Sequence, residues 1–287
     1  MAGVCLGIAA WCVRSMPVRA AGGVALHKTR QAPSDLEIGG ALTGVPKGET
    51  RFVAWSDLDA LPQQTYTVSD DTNFVGTVKV SGIPLEKLAE LLGAGAGAKM
   101  VIAIADDAYN AHYPAEYFHQ HFPLLVLRIN GEPPSKWPIG ADGSAMGPYM
   151  VSHPTFQPAW QVLSHKDEAQ IPWGVVRIDF RNEAEVYAPI APRGATARDE
   201  VVQQGFTVAR QNCFRCHSTG GEGGTKSNRS WEAIARRAVS DPKYFDTKVR
   251  DPKSVDPASQ MAASPQYDDA TLAALRAYFK TFVEESH

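Results

Sequence analysis

Two cysteines separated by two residues, with a histidine directly after the second, stand at Cys213-Phe214-Arg215-Cys216-His217. That spacing suits covalent attachment of a c-type haem: each thiol adds across a vinyl group and the imidazole ligates the iron. Two other chemistries use paired cysteines, and each asks for something more. A structural zinc site needs four ligands, yet no cysteine follows Cys216 and the only later histidine is His287. A thioredoxin-like redox pair sits at the end of a strand in a βαβ unit, whereas the residues before Cys213 read as helix and those after it as a glycine-rich loop.

A helix must deliver the first cysteine, and the sequence supplies one. Thr196-Ala197-Arg198-Asp199 fits a capping pattern, Asp199 and Glu200 suit the first turn, and Val202, Phe206 and Ala209 fall at i, i+4 and i+7. Ser218-Thr219-Gly220-Gly221-Glu222-Gly223-Gly224 then forms a loop with few side chains to clash with a large flat ligand. A helix is predicted over Trp231–Ala238 with Ser230 as its cap, and a last helix from Asp268 or Asp269 with Leu272, Leu275, Phe279 and Phe282 on one face. Met261 is the only methionine after the motif and is therefore the candidate sixth iron ligand, its alternative reading being a core-filling side chain.

Over residues of about 195–284 this order resembles a class I cytochrome c: a helix into C-x-x-C-H and a final helix with an aromatic near Leu275-Arg276-Ala277-Tyr278. The resemblance implies one haem c, thioether-bonded through Cys213 and Cys216, with His217 and Met261 as axial ligands. It places the axial methionine just before the last helix, where Met261 stands. One departure is that the family often has a proline after the loop whose carbonyl orients the histidine, and Thr225-Lys226-Ser227 offers none.

The first half reads as α+β, with strands and small helices mixed and no regular βαβ alternation. Strands are predicted at Thr65–Val68, Phe74–Val80, Met100–Ala105, Leu124–Ile129 and Trp173–Phe180, and short helices at Trp55–Leu61, after Pro84 and near Pro114–His121. The order Leu58…Leu61-Pro62, Phe74-Val75-Gly76, Gly82-Ile83-Pro84-Leu85, Asp106-Asp107-Ala108-Tyr109, Asn130-Gly131-Glu132-Pro133 and Gly147-Pro148-Tyr149 resembles the molybdopterin-binding domain of the sulfite oxidase family. The fold so implied is a mixed-sheet domain followed by a small all-α cytochrome domain. That family holds molybdenum through a cysteine before the G-[IV]-P-L segment, but Ser69–Gly76 contains none and Asp107-Ala108-Tyr109 has alanine where glycine is usual. A thiolate is a soft ligand that hydroxyls and carboxylates do not mimic. The expectation is a domain without molybdenum, used for structure or docking; the alternative is a molybdenum-dependent oxidoreductase acting on a small oxyanion and passing electrons to the fused haem. His112, His119, His121 and His153 read as surface or core residues, since the i,i+2 pair His119 and His121 points apart on either regular element.

The chain is 44% hydrophobic and 21% charged over 287 residues, ordinary for a globular protein and long enough for two domains. Its boundaries read as a signal peptide at 1–20, a lead-in at 21–49, the sheet domain at 50–186, a linker at 187–194 and the haem domain at 195–287. The apolar run Val4–Val13 is too short to span a bilayer, and Val18-Arg19-Ala20 gives a cleavage context, although the leading positive charge is missing and Arg14 follows the run. Cleaved export to the periplasm is the expectation, an N-terminal anchor the alternative. Cleavage removes Cys5 and Cys12, so the motif pair would be the only thiols of a mature chain without a spanning segment. Residues 21–192 carry 12 Lys and Arg against 19 Asp and Glu, and residues 193–287 carry 14 against 12. No basic tract points to nucleic acid. The function these readings imply is electron transfer rather than catalysis, with a redox protein such as a dehydrogenase, an oxidase or another cytochrome as partner.

Overall fold

The computed structural model describes residues 18–20, 22–156, 161–163, 165–166 and 169–283; residues 1–17 of the expected signal segment, and the tail with His287, lie outside them. The architecture is α+β, built on a mixed sheet. Strands β1 (Val18–Arg19) and β2 (Ala25–Leu26) form a short antiparallel ribbon ahead of it. The sheet takes β3 (Leu36–Gly40), β4 (Arg51–Val53), β5 (Gln64–Val68), β6 (Val78–Pro84), β7 (Met100–Ala105), β8 (Asn110–Tyr113), β9 (Leu124–Ile129) and β10 (Tyr149–Ser152). After a second ribbon, β11 (Gln161–Val162) with β12 (His165–Lys166), it is completed by β13 (Trp173–Arg181).

The nine-residue β13 is the hub. One of its edges pairs with β10 and, in parallel, with β3, while the other pairs with β7, beyond which β8 lies. The order through the hub is β4-β3-β13-β10-β9-β6-β5. Buried positions at Gly174, Val175, Ile178, Asp179 and Phe180 suit a strand covered on both faces, although Arg177 and Asp179 interrupt its apolar residues. Helices α1 (Trp55–Asp59), α2 (Leu85–Leu91) and α3 (Ala115–His121) close one core with Leu58, Leu85, Leu88 and Phe118.

The segment read as a lead-in contributes β3 to the sheet, with Leu36 and Ile38 fully buried. Its signal is short and masked by Gly39 and Gly40; at Gly40, with φ of +78°, an added Cβ would lie 2.1 Å from the Phe180 carbonyl oxygen. The strand expected at Phe74–Val80 begins only at Val78, because Asp71 closes a turn by accepting from the Asn73 N–H at 2.8 Å and Gly76 takes a φ of +80°.

The helical part comprises α4 (Glu183–Tyr187), α5 (Glu200–Val208), α6 (Trp231–Ser240), α7 (Pro242–Arg250), α8 (Pro252–Val255) and α9 (Asp269–Lys280). Ser230 caps α6 by accepting from the Ala233 N–H, and Asp268 caps α9 by accepting from the Thr271 N–H at 2.8 Å. The stretch read as a linker is packed: Ala188–Ile190 is a 3-10 turn, Tyr187 and Ile190 are buried, and the Tyr278 hydroxyl donates to the Ile190 carbonyl at 2.6 Å. One apolar cluster joins Met100 and Ile102 of β7 to Val202, Phe214, Trp231, Leu275 and Phe279, so sheet and helices share a core. Among the described residues no helix is long and apolar enough to cross a membrane.

Candidate functional site

The helix that leads to Cys213 is fixed by a close crossing. A Cβ on Gly205 of α5 would stand 2.0 Å from the Ala274 carbonyl oxygen of α9 and 2.8 Å from the Tyr278 Cβ, so only glycine permits this approach. Around it pack Val202, Leu275, Tyr278 and Phe279, all buried. α5 then widens into a π-helical turn over Ala209–Cys213, closed by the Phe214 N–H donating to the Ala209 carbonyl at 3.0 Å. Single π turns of this kind are frequent at functional sites.

The loop that follows folds tightly on itself. His217 and Cys216 both direct their backbone N–H to the Cys213 carbonyl, at 3.0 and 3.2 Å, and the Ser227 N–H returns to the Cys216 carbonyl at 2.9 Å. Ser218–Thr219 and Glu222–Gly223 pair as ribbon β14 and β15. At Gly224 a Cβ would fall 1.8 Å from the Arg215 carbonyl oxygen, so the loop closes only with glycine there. Both cysteines are unbonded thiols and partly buried. Burial pushes the Cys213 thiol up to about 12 against the pull of the Arg215 charge, and it raises Cys216 against the charges of Arg215 and Lys226.

The His217 ring is oriented by a backbone carbonyl. Its Nδ1 lies 2.9 Å from the Arg229 oxygen, and since a carbonyl only accepts, Nδ1 carries the proton and Nε2 keeps its lone pair. Burial lowers the pKa of this imidazole and so favours the neutral, metal-ligating form. The Arg229 carbonyl therefore does what no proline in Thr225-Lys226-Ser227 could. The sequence holds no sign of it, because every residue has a carbonyl.

Met261 stands on the exposed segment between α8 and α9, its N–H donating to Ser259 Oγ at 3.3 Å. That segment is tied to α7: Lys248 Nζ bonds Ser259 Oγ at 2.9 Å, and the Ser264 N–H donates to the Val249 carbonyl at 3.0 Å. α7 in turn continues from α6, whose N-terminus follows Arg229.

The sheet half reaches this loop. His112 of β8 is 1% exposed and stacks on Phe214 with centroids 5.2 Å apart, and neither of its ring nitrogens has a hydrogen-bond partner. Desolvation lowers its pKa to about 3, helped by Arg215 and Arg181, so the ring is neutral. Its backbone is held at both ends by the Gln170 side chain, at 2.9 and 2.6 Å. The other histidines divide as their spacing implies: His119 is exposed, while His121 and His153 are buried around Tyr117, whose hydroxyl lies 3.0 Å from His153 Nε2. In the Ser69–Gly76 segment the buried Asp71 carboxylate accepts from the Asn73 N–H and from Ser152 Oγ at 3.1 Å. Burial raises its pKa to about 6. Among the described residues no three His, Cys, Asp or Glu side chains converge as a metal site.

No family model matches the chain, and no curated protein matches it. Among solved structures it is similar to the sulfane dehydrogenase SoxCD from Paracoccus pantotrophus, at 15% identity and a TM-score of 0.34. That likeness covers 60% of this chain and 45% of that one, so the chain spans less than half of its neighbour. It is too distant to carry a fold or a chemistry across.

Proposed function

We propose that the chain is an exported monohaem c-type cytochrome that carries electrons to or from a redox partner protein, a dehydrogenase, an oxidase or another cytochrome. The observation that supports this reading best is the donor set: two unbonded thiols on one turn, followed by a neutral imidazole whose Nδ1 is held by the Arg229 carbonyl. It fits a c-type haem, with Cys213 and Cys216 as the thioether donors and His217 Nε2 as the axial nitrogen. Bound there, haem supplies a one-electron carrier. The chain's own residues supply attachment, ring orientation and a buried apolar cluster with Phe214, Trp231 and Phe279 against which Cys213 packs.

In this reading Met261 would be the second residue to hold the iron, and its thioether would favour the reduced state. Iron held by both His217 and Met261 would have no position open to a substrate, which is why electron transfer is preferred to oxygen or peroxide chemistry. We read residues 195–287 as a class I cytochrome c unit and residues 50–186 as a sulfite-oxidase-type domain. The glycine-mediated crossing of α5 and α9 and the motif order support these readings. Molybdenum does not fit the sheet domain. Its Ser69–Gly76 segment offers no thiolate, and the one buried carboxylate there is engaged by Asn73 and Ser152.

Expression with a c-type haem attachment system tests the proposal. The expected product carries one covalent haem, as an alkaline pyridine spectrum reads, and a sulfur-to-iron absorption band that Met261→Ala abolishes. A product with stoichiometric zinc and no haem would overturn the reading, and a band that survives Met261→Ala would remove Met261 from the iron.

A further inference from the structure

The turn joining β7 to β8 grips the outer edge of the cysteine loop. The Asn110 N–H donates to the Arg215 carbonyl at 2.9 Å, Asn110 Nδ2 donates to the Gly223 carbonyl at 3.0 Å, and the Thr225 N–H donates to the Ala108 carbonyl at 3.1 Å. Backbone groups on both sides of the loop are thus satisfied by one turn of the other half rather than by water. Side chains repeat the pattern. Arg215 donates to the Tyr109 hydroxyl at 2.8 Å and stacks on its ring, and Lys226 pairs with Asp107.

Arg215 and Lys226 are the cations whose charge reaches the Cys216 sulfur. Asp107 offsets one of them, and Tyr109 holds the other in place. A ferric centre carries one more positive charge than a ferrous one, so each cation left uncompensated nearby favours reduction. The sheet half therefore controls both the shape of the loop and the charge facing it.

We propose that the β7–β8 turn, through Asp107, Tyr109 and Asn110, is a positioning element for the cysteine loop that sets the reduction potential of the group bound there. This rests on the covalent-haem reading above. It gives the sheet half a task that needs no cofactor of its own.

Redox titration of the haem-loaded full chain tests it, with Asp107→Asn, Arg215→Gln and, as a control, Glu132→Gln from the exposed pair with Lys136. Asp107→Asn is expected to raise the midpoint potential by exposing the Lys226 charge, and Arg215→Gln to lower it; Glu132→Gln stays at the wild-type value. Opposite shifts exclude a merely loosened loop, which would move both variants the same way. If Arg215→Gln does not accumulate, the direction of the Asp107→Asn shift decides alone. Covalent haem with both potentials at the control value, or both displaced in one direction, overturns this proposal and leaves the cytochrome reading intact. Wild-type protein without covalent haem overturns the cytochrome reading itself, and this proposal with it.

Discussion

The cysteine loop and the sheet end around Asp71 both bury polar groups, but they leave different atoms over. In the loop the backbone is bonded to itself and to the β7–β8 turn, while two thiols and the Nε2 of an oriented imidazole remain for something else. At the sheet end the polar atoms are spent on each other. Asp71 holds Asn73 and Ser152, and Tyr117 meets His153 and Gln170, while His153 Nδ1 has no hydrogen-bond partner. A site for chemistry is recognisable by donors that the fold orients yet does not consume; a buried polar cluster that satisfies itself specifies structure.

The largest effect should separate the two regions outright. Cys213→Ala with Cys216→Ala is expected to eliminate covalent haem on a denaturing gel, whereas Asp71→Ala should leave it. Loss of haem in the Asp71 variant alone would make the sheet end part of the site. Next in size is Gly205→Val, whose branched side chain cannot coexist with the Ala274 carbonyl at the α5–α9 crossing. It should cost roughly 3 kcal/mol or more in chemical denaturation, at the upper end for overpacking.

The pH dependence sharpens the comparison, because Asp71 of the sheet end and His112 beside the loop act in opposite directions. Asp71 has its folded pKa raised to about 6 by burial, so the native state binds the extra proton and stability falls as pH rises from about 4 through 6. At neutral pH this amounts to roughly 3 kcal/mol at most, from about 1.4 kcal/mol per unit. Asp71→Asn should remove that slope and raise the melting midpoint at pH 7. His112, at the interface with the loop, has its folded pKa lowered to about 3 by burial. Its contribution is complete above about 6.5, its ordinary value, and is lost as pH falls toward 3. His112→Phe should keep the stacking on Phe214 and make the protein less acid-sensitive over that window. The smallest effect belongs to the exposed Lys136–Glu132 pair, where Lys136→Ala should change stability by less than about 1 kcal/mol.

Much of the fold was legible because its signals are local. The apolar stripe of Leu272, Leu275 and Phe279 and the cap at Asp268 define α9, and β7, an unbroken apolar run, and β9, interrupted only by Arg128, match to the residue. β3, β8 and β10 were not legible, since each is short and takes its order from long-range pairing: β3 from β13, β8 from β7 and β10 from β9. The motif Cys213–His217 was legible by residue type. Its supports were not, because they are a carbonyl at Arg229 and a turn a hundred residues upstream, and neither has a spacing that sequence can reveal. The stretch at 187–194 reads as a linker from its prolines and glycine, yet Tyr187 and Ile190 find partners on β7 and α9, so its punctuation bends the chain rather than freeing it.

The most direct test is the intact mass of the protein matured with a haem attachment system, followed by the mass of the peptide that contains residues 213–217. The account predicts a gain of one haem that survives denaturation and maps to Cys213 and Cys216. An unmodified peptide with both thiols free to react with an alkylating agent would contradict it.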